Sequence, residues 1–246
     1  MWRKMKKLML GLPLIFLLIS TPLSAAWVGD THREVAAAAY RELPENIRNL
    51  LNLDAILTGA TLPDRERESY GHRYPATDHP YVRQKAVEWV ERVRENWLAG
   101  DYHSASLAMG ILSHFIADAT SLPHCINDET ITAHSNFEES GRDLKAAPPS
   151  FISGFELEKA LEECREAAEA KWRQWLKSMD KSTVQEGVNL AATYTYNAWV
   201  QALEIDPTLL HGEEHQEWVI AAAGVSIAGL TGIFVKLLKR KKTSPP

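Results

Sequence analysis

The sequence predicts an all-α domain, on three observations. Apolar residues recur at steps of three and four, as in Val82, Ala86, Val90, Val93 and Trp97, which is the period of a helix face. The two-residue alternation of a strand is missing throughout. Breakers also fall where helices of ordinary length would stop, with Gly100 closing the series just named. The stretch from Trp27 to Pro207, about 180 residues, is enough for one domain around one core.

Taken in order, a first helix is expected from Thr31 to Tyr40, where Thr31 and Glu34 have the spacing of a capping box. A second runs from Pro44 to Leu51, since proline suits a first helical turn. The segment from Ala55 to Pro80 is rich in Gly, Pro, Asp, Arg and Tyr without clear periodicity; it reads as a long irregular connection, a feature that is often functional. Helices follow around Val82 to Trp97, from Ser104 to Ala119, and from His134 to about Leu144. The proline-bearing stretch Ala146 to Ser153 is a loop, and helices from Glu156 to Met179 and from Thr183 to Leu203 complete the domain.

Both ends of the chain are apolar and set apart from this domain. Residues 1–26 combine a basic start (Arg3, Lys4, Lys6, Lys7), an apolar run from Leu8 to Ile19 and the small-residue ending Ser24-Ala25-Ala26, the pattern of a secretory signal peptide. Residues 218–238 form an apolar stretch long enough to cross about 30 Å of hydrocarbon, opened by Trp218 and containing only Lys236 as a charge near its end. Residues 208–217 are then a juxtamembrane linker and 239–246 a basic cytoplasmic tail, which places the domain outside the cytoplasm on a single-pass anchor. Between the two apolar blocks stand 18 basic against 32 acidic residues, a formal −14. Such a surface gives no basic footprint for nucleic acid. Thirteen Gly, twelve Pro and two Cys exclude collagen-like, low-complexity and disulfide-scaffold chains. Cys125 and Cys164 either pair or stay free.

The chemistry is carried by histidines. His114 and Asp118 stand four apart on an otherwise apolar helix, so both project from one side of it. His134 and Glu138 repeat the arrangement, and His124, after Pro123, lies between them. Imidazole nitrogen and carboxylate oxygen are both zinc ligands, and two such pairs plus a third histidine within twenty-five residues point to a metal site.

These residues resemble the zinc-dependent phospholipase C and single-strand-specific nuclease superfamily, all-helical secreted enzymes with three zinc ions in one cleft. The motifs are His114-Phe115-Ile116-Ala117-Asp118, Pro123-His124 and His134-Ser135-Asn136-Phe137-Glu138, in that order. Members of that family begin their mature chain with Trp, and cleavage after Ala26 would expose Trp27; His32, Asp64 in Leu62-Pro63-Asp64 and His72 in His72-Arg73-Tyr74 fill the remaining positions. The resemblance implies one zinc held by Asp64, His72, His114 and Asp118, with Asp78 or His79 as alternative donors in place of Asp64 and His72. It implies a second zinc held by the amino and carbonyl groups of Trp27 with His32 and a bridging Asp118, and a third held by His124, His134 and Glu138. The implied activity is phosphoester hydrolysis by a water activated at the cluster, with Asp64 also placed to take the proton from that water.

For substrate, a phospholipase C would need a carboxylate and aromatic rings to hold a cationic head group, and Asp30, Tyr70 and Tyr74 are the candidates. A nuclease would need stacking surfaces with basic neighbours, which are not evident. The first expectation is therefore a membrane-anchored phospholipase C cleaving the glycerol-side phosphoester of phospholipids. The alternatives are a nuclease or phosphatase of the same superfamily, and a non-catalytic helical binding domain displayed on the membrane.

Overall fold

The computed structural model describes residues 29–70, 79–126 and 130–210. The expected signal peptide and anchor, and with them Trp27, lie outside these residues, as do His72, Tyr74 and Asp78. Among the described residues every element is helical. The order is α1 (Gly29–Arg41), α2 (Glu45–Arg48), α3 (Leu53–Gly59), α4 (Leu62–Arg65), α5 (Arg67–Tyr70), α6 (His79–Leu98), α7 (Tyr102–Thr120), α8 (Leu122–Cys125), α9 (Ile131–Ser140), α10 (Leu157–Ser178) and α11 (Lys181–Ala202), with a short 3₁₀ turn at Pro207–Leu209. None of these helices is long and apolar enough to cross a membrane.

The fold is organised around α7. Its N-cap, Asp101, accepts from the Ser104 amide at 3.0 Å, and Gly100, with φ +74°, turns the chain out of α6. From Ala105 to Thr120 every residue of α7 except Leu107 is buried, so beyond its exposed first turn the helix has no solvent face. One core cluster lies on one flank of it, where Met109, Leu112, Phe115 and Ile116 meet Ile56, Val93, Trp199 and Leu203. A second cluster joins Ala117 to Val35, Phe137, Trp172, Trp175 and Val184. Trp199 spans the interior and donates from Nε1 to the Met109 carbonyl at 3.1 Å.

Four local expectations are corrected. Thr31 does not cap α1: it lies inside the first turn, fully buried, and its hydroxyl donates to the Gly141 carbonyl at the end of α9, 3.1 Å away. The hydroxyl finds a tertiary partner, so the capping role is lost. Pro44 precedes α2 as an extended residue (φ −52°, ψ 143°), and that helix is a single turn. The segment from Ala55 onward is not irregular up to Tyr70 but holds three short helices, begun by Asn52 accepting from the Ala55 amide at 2.9 Å and by Pro63 in the first turn of α4. Helix α9 also begins before His134, because Thr130 caps it by accepting from the Ala133 amide. Cys125 and Cys164 do not pair with each other. Cys125 is buried and directed at the Ala119 carbonyl, while burial first and the neighbouring Tyr194 second govern Cys164, whose pKa is raised.

One glycine is dispensable. Gly187 sits inside α11 with nothing within 4 Å of where a Cβ would stand. Gly187→Ala is expected to raise stability by about 0.5–1 kcal/mol in urea unfolding, from helix propensity alone.

Candidate metal centre

The buried part of α7, which carries His114 and Asp118, must compensate two polar side chains, and the compensation draws the other elements in. His114 and Asp118 are one turn apart with Nε2 and Oδ2 3.3 Å from each other. The other ring nitrogen of His114, Nδ1, donates to the Ala60 carbonyl at 3.1 Å, which turns Nε2 toward Asp118 and makes it the nitrogen that could coordinate an ion. That bond exists because α3 and α7 touch backbone to backbone at Gly59 and Gly110. A Cβ at Gly110 would strike the Ile56 carbonyl and lie 2.8 Å from the Ala60 amide nitrogen and the Gly59 Cα.

Helix α1 brings His32, stacked on His114 with ring centroids 4.2 Å apart. Its Nε2 lies 3.5 Å from Asp118 Oδ1 and 4.0 Å from Asp64 Oδ2, the latter supplied by α4. On the far side of Asp118, α8 and α9 supply a second group. His124 Nε2 is 3.8 Å from Asp118 Oδ1 and 3.3 Å from Glu138 Oε1, and His134 Nε2 is 2.6 Å from the same Glu138 oxygen. The His124 and His134 rings meet edge to face at 4.7 Å. Two sets of donor atoms result, His32–Asp64–His114 and His124–His134–Glu138, and within each all donors lie within 4.8 Å of one another.

The carboxylates set the electrostatics. Burial by itself lowers the pKa of His114, but the charges of Asp118 and Asp64 and the hydrogen bonds to Asp118 and Ala60 outweigh it and raise it to about 9. His124 is likewise pulled down by burial and raised on balance by Asp118 and Glu138. Burial would raise Glu138, yet His124 and His134 hold it below the usual carboxylate range. The field that retains a proton on these imidazoles is the field that favours a divalent cation among them.

The donor set fits zinc. Ligands on bonds of about 2.0–2.1 Å around a tetrahedral ion lie about 3.4 Å apart. The His114–Asp118 and His124–Glu138 separations, both 3.3 Å, match that spacing. The 2.6 Å between His134 and Glu138 is a direct hydrogen bond, which must open by under 1 Å to admit an ion. Glu138 Oε2 is buried with no hydrogen-bond partner among the described residues, an orphaned acceptor that a cation would satisfy.

A family model described as zinc dependent phospholipase C matches residues 31–185. The chain belongs to the zinc-dependent phospholipase C family. Comparison with curated proteins and with solved structures returns no match. The family match runs from α1 into the first turns of α11 and takes in His32, Asp64, His72, His114, Asp118, His124, His134 and Glu138.

Of the nine residues expected to hold metal in this phospholipase C-type domain, the structure brings seven together: His32, Asp64, His114, Asp118, His124, His134 and Glu138. Trp27 and His72 lie outside the described residues, as does the side chain of the alternative donor His79. Asp30 is exposed in the first turn of α1, beside a shallow depression it shares with Arg33, Glu34, Arg142 and Lys145. Tyr70 is half-buried against Trp89, ring centroids 6.0 Å apart, at the edge of the first core cluster. His103, which fits no part of the scheme, is exposed. The Ala60 carbonyl and the Gly59–Gly110 contact were not readable from side-chain motifs, because the first is a backbone atom and the second an absence of side chain.

Proposed function

We propose that this chain is a membrane-tethered, extracytoplasmic zinc phosphodiesterase that cleaves the glycerol-side phosphoester of phospholipid-type substrates, as a phospholipase C does. The observation that supports it is Asp118, whose two oxygens reach His32 and His124 from one side and His114 from the other, joining the two donor groups into one centre. Trp27 and His72 complete the proposed set for three ions. The trinuclear count, the tether on residues 218–238 and the release of the first 26 residues all belong to this reading.

Zinc held there supplies Lewis acidity toward a phosphoryl oxygen and toward water. The chain's own residues do the rest. Asp64 is the accessible carboxylate, 14% exposed where the other six side chains are 4% or less, so it is the group positioned to accept a proton from an attacking water. The Ala60 carbonyl fixes the His114 ring, and Thr31 ties α1 to the end of α9, so that His32 and Glu138 keep their spacing. Phe115, fully buried and edge-on to the His114 ring at 5.5 Å, is an apolar neighbour that limits water at that donor. An acidic domain with three carboxylates at its centre repels a phosphodiester when no cation is bound, so metal removal is expected to abolish substrate binding as well as turnover.

The test is a chain beginning at Trp27, assayed for zinc by elemental analysis and for hydrolysis of phosphatidylcholine against single-stranded DNA. About three zinc equivalents, lipid turnover lost with a chelator and regained with zinc, are expected. A folded protein with one zinc or none and no phosphoester turnover overturns the reading in favour of a binding domain, and preferential cleavage of DNA overturns the substrate class.

A further inference from the structure

The helices place the metal cluster and the chain's exit toward residues 218–238 at opposite ends of the bundle. Helix α11 starts beside the cluster, where Val184 lies 3.4 Å from the Cβ position of Gly141, the residue that binds Thr31 next to His32. It ends at Ala202, about 27 Å further along. At that end Glu204 approaches Arg94 of α6 at 3.7 Å, beside the α6–α7 turn. On α7 the same axis separates Tyr102 at the turn from His114 and Asp118 by about 18 and 24 Å.

The end away from the cluster carries the larger group of exposed apolar side chains; at the other end only Leu176 and Met179, by the α10–α11 turn, are comparably exposed among the described residues. Leu98 is 67% exposed and Tyr102 36%, the latter ring tilted on Trp97 at 5.0 Å. The start of α3 and the loop before it, held to α7 by the Asn52 amide donating to Ser106 Oγ, add Leu53 and Leu50, 36% and 44% exposed. Leu209, 62% exposed, stands one residue before the end of the described chain. Large exposed apolar side chains grouped with Trp and Tyr are what a bilayer interface accepts. From Leu210 to Trp218 the eight residue steps reach about 29 Å at most, so the domain cannot stand far from a membrane that holds residues 218–238.

Resting on the tether and activity proposed above, we propose that the domain docks on its own bilayer through the pole formed by Leu50, Leu53, Leu98 and Tyr102, with the metal cluster at the opposite pole. Its substrate is then a phosphodiester that arrives from solution, not a lipid of the leaflet that carries the enzyme. Asp54, Glu95 and Asp101 share the docking pole, which suits a zwitterionic surface better than an anionic one.

The experiment reconstitutes the full chain in phosphatidylcholine vesicles containing an acceptor-dye lipid. A donor dye is attached at His103→Cys beside the α6–α7 turn or at Lys181→Cys at the start of α11, with the unsubstituted chain as the labelling blank. Energy transfer is expected to be several-fold more efficient from position 103 than from 181, and to fall at 103 in Leu98→Glu with zinc content unchanged. Equal or inverted transfer overturns the docking pole; failure of the chain to float with vesicles overturns the tether and this proposal with it. In the same preparation a soluble short-chain phosphatidylcholine is expected to turn over at least tenfold faster than head-group-labelled lipid in the enzyme's own vesicle. Faster cleavage of the vesicle's lipid overturns the substrate assignment. Absence of turnover on both overturns the phosphodiesterase reading, and leaves the energy-transfer result to decide the orientation by itself.

Discussion

Asp118→Asn is expected to remove more than one zinc equivalent and to lower phosphodiester hydrolysis on the order of a hundredfold or more, the largest effect of any single isosteric change. The reasoning is geometric. Asp118 Oδ1 stands 3.5 Å from His32 and 3.8 Å from His124, and Oδ2 stands 3.3 Å from His114, so it is the residue shared by both donor groups. It is also the first carboxylate charge acting on both His114 and His124. Asparagine keeps the volume and removes the charge, and it places an amide N–H₂ or a neutral oxygen where an anion stands between the two donor groups. Glu138→Gln touches only the second group and is expected to cost about one equivalent. His103→Ala, on the exposed first turn of α7, is expected to change neither zinc content nor rate. Equal activity in Asp118→Asn and His103→Ala would remove Asp118 from the centre.

What the sequence made legible, and what it hid, divides along physical lines. The i,i+4 pairs His114–Asp118 and His134–Glu138 were readable because helix geometry alone places such residues on one face. Their meeting with His32 and Asp64 followed from the order of motifs and the family resemblance, since no local rule brings residues 32, 64 and 114 together. Hydrophobic periodicity located the long helices to within a few residues, as with α10 and α11, because their apolar stripes are continuous. It failed from Ala55 to Tyr70, where helices of four to seven residues are too short to show a period and depend on the Asn52 cap and on contact with α7. Thr31 misled for a related reason: a threonine three residues before a glutamate has the spacing of a capping box, but its hydroxyl is spent on Gly141, 110 residues away. The left-handed Met179 that ends α10, with φ 51°, had no sequence signal, since glycine or asparagine is the usual occupant.

The second large effect is expected from a residue that touches no ligand. Gly110→Ala is expected to destabilise the domain by about 3 kcal/mol, lowering the melting temperature by about 10 °C, and to weaken one donor group selectively. The new Cβ would meet backbone, the Ile56 carbonyl and the Gly59–Ala60 peptide, and not the far end of a flexible side chain. Relief therefore requires α3 to move off α7. Because Ala60 follows α3 directly and its carbonyl accepts from His114 Nδ1, that movement withdraws the bond that orients the His114 ring. Asp64 follows four residues later on α4 and moves with it. His124, His134 and Glu138 hang from α8 and α9, away from the crossing, so their group is expected to keep its metal. The measurement is zinc stoichiometry beside thermal unfolding, with Gly187→Ala as the partner variant that adds the same methyl group in open space. A loss of about one equivalent accompanying the drop in stability would show that the Gly59–Gly110 contact positions the first donor group. Full zinc retention in a destabilised Gly110→Ala would show that the His114 ring is held by its ligands alone, with the backbone crossing serving only the core.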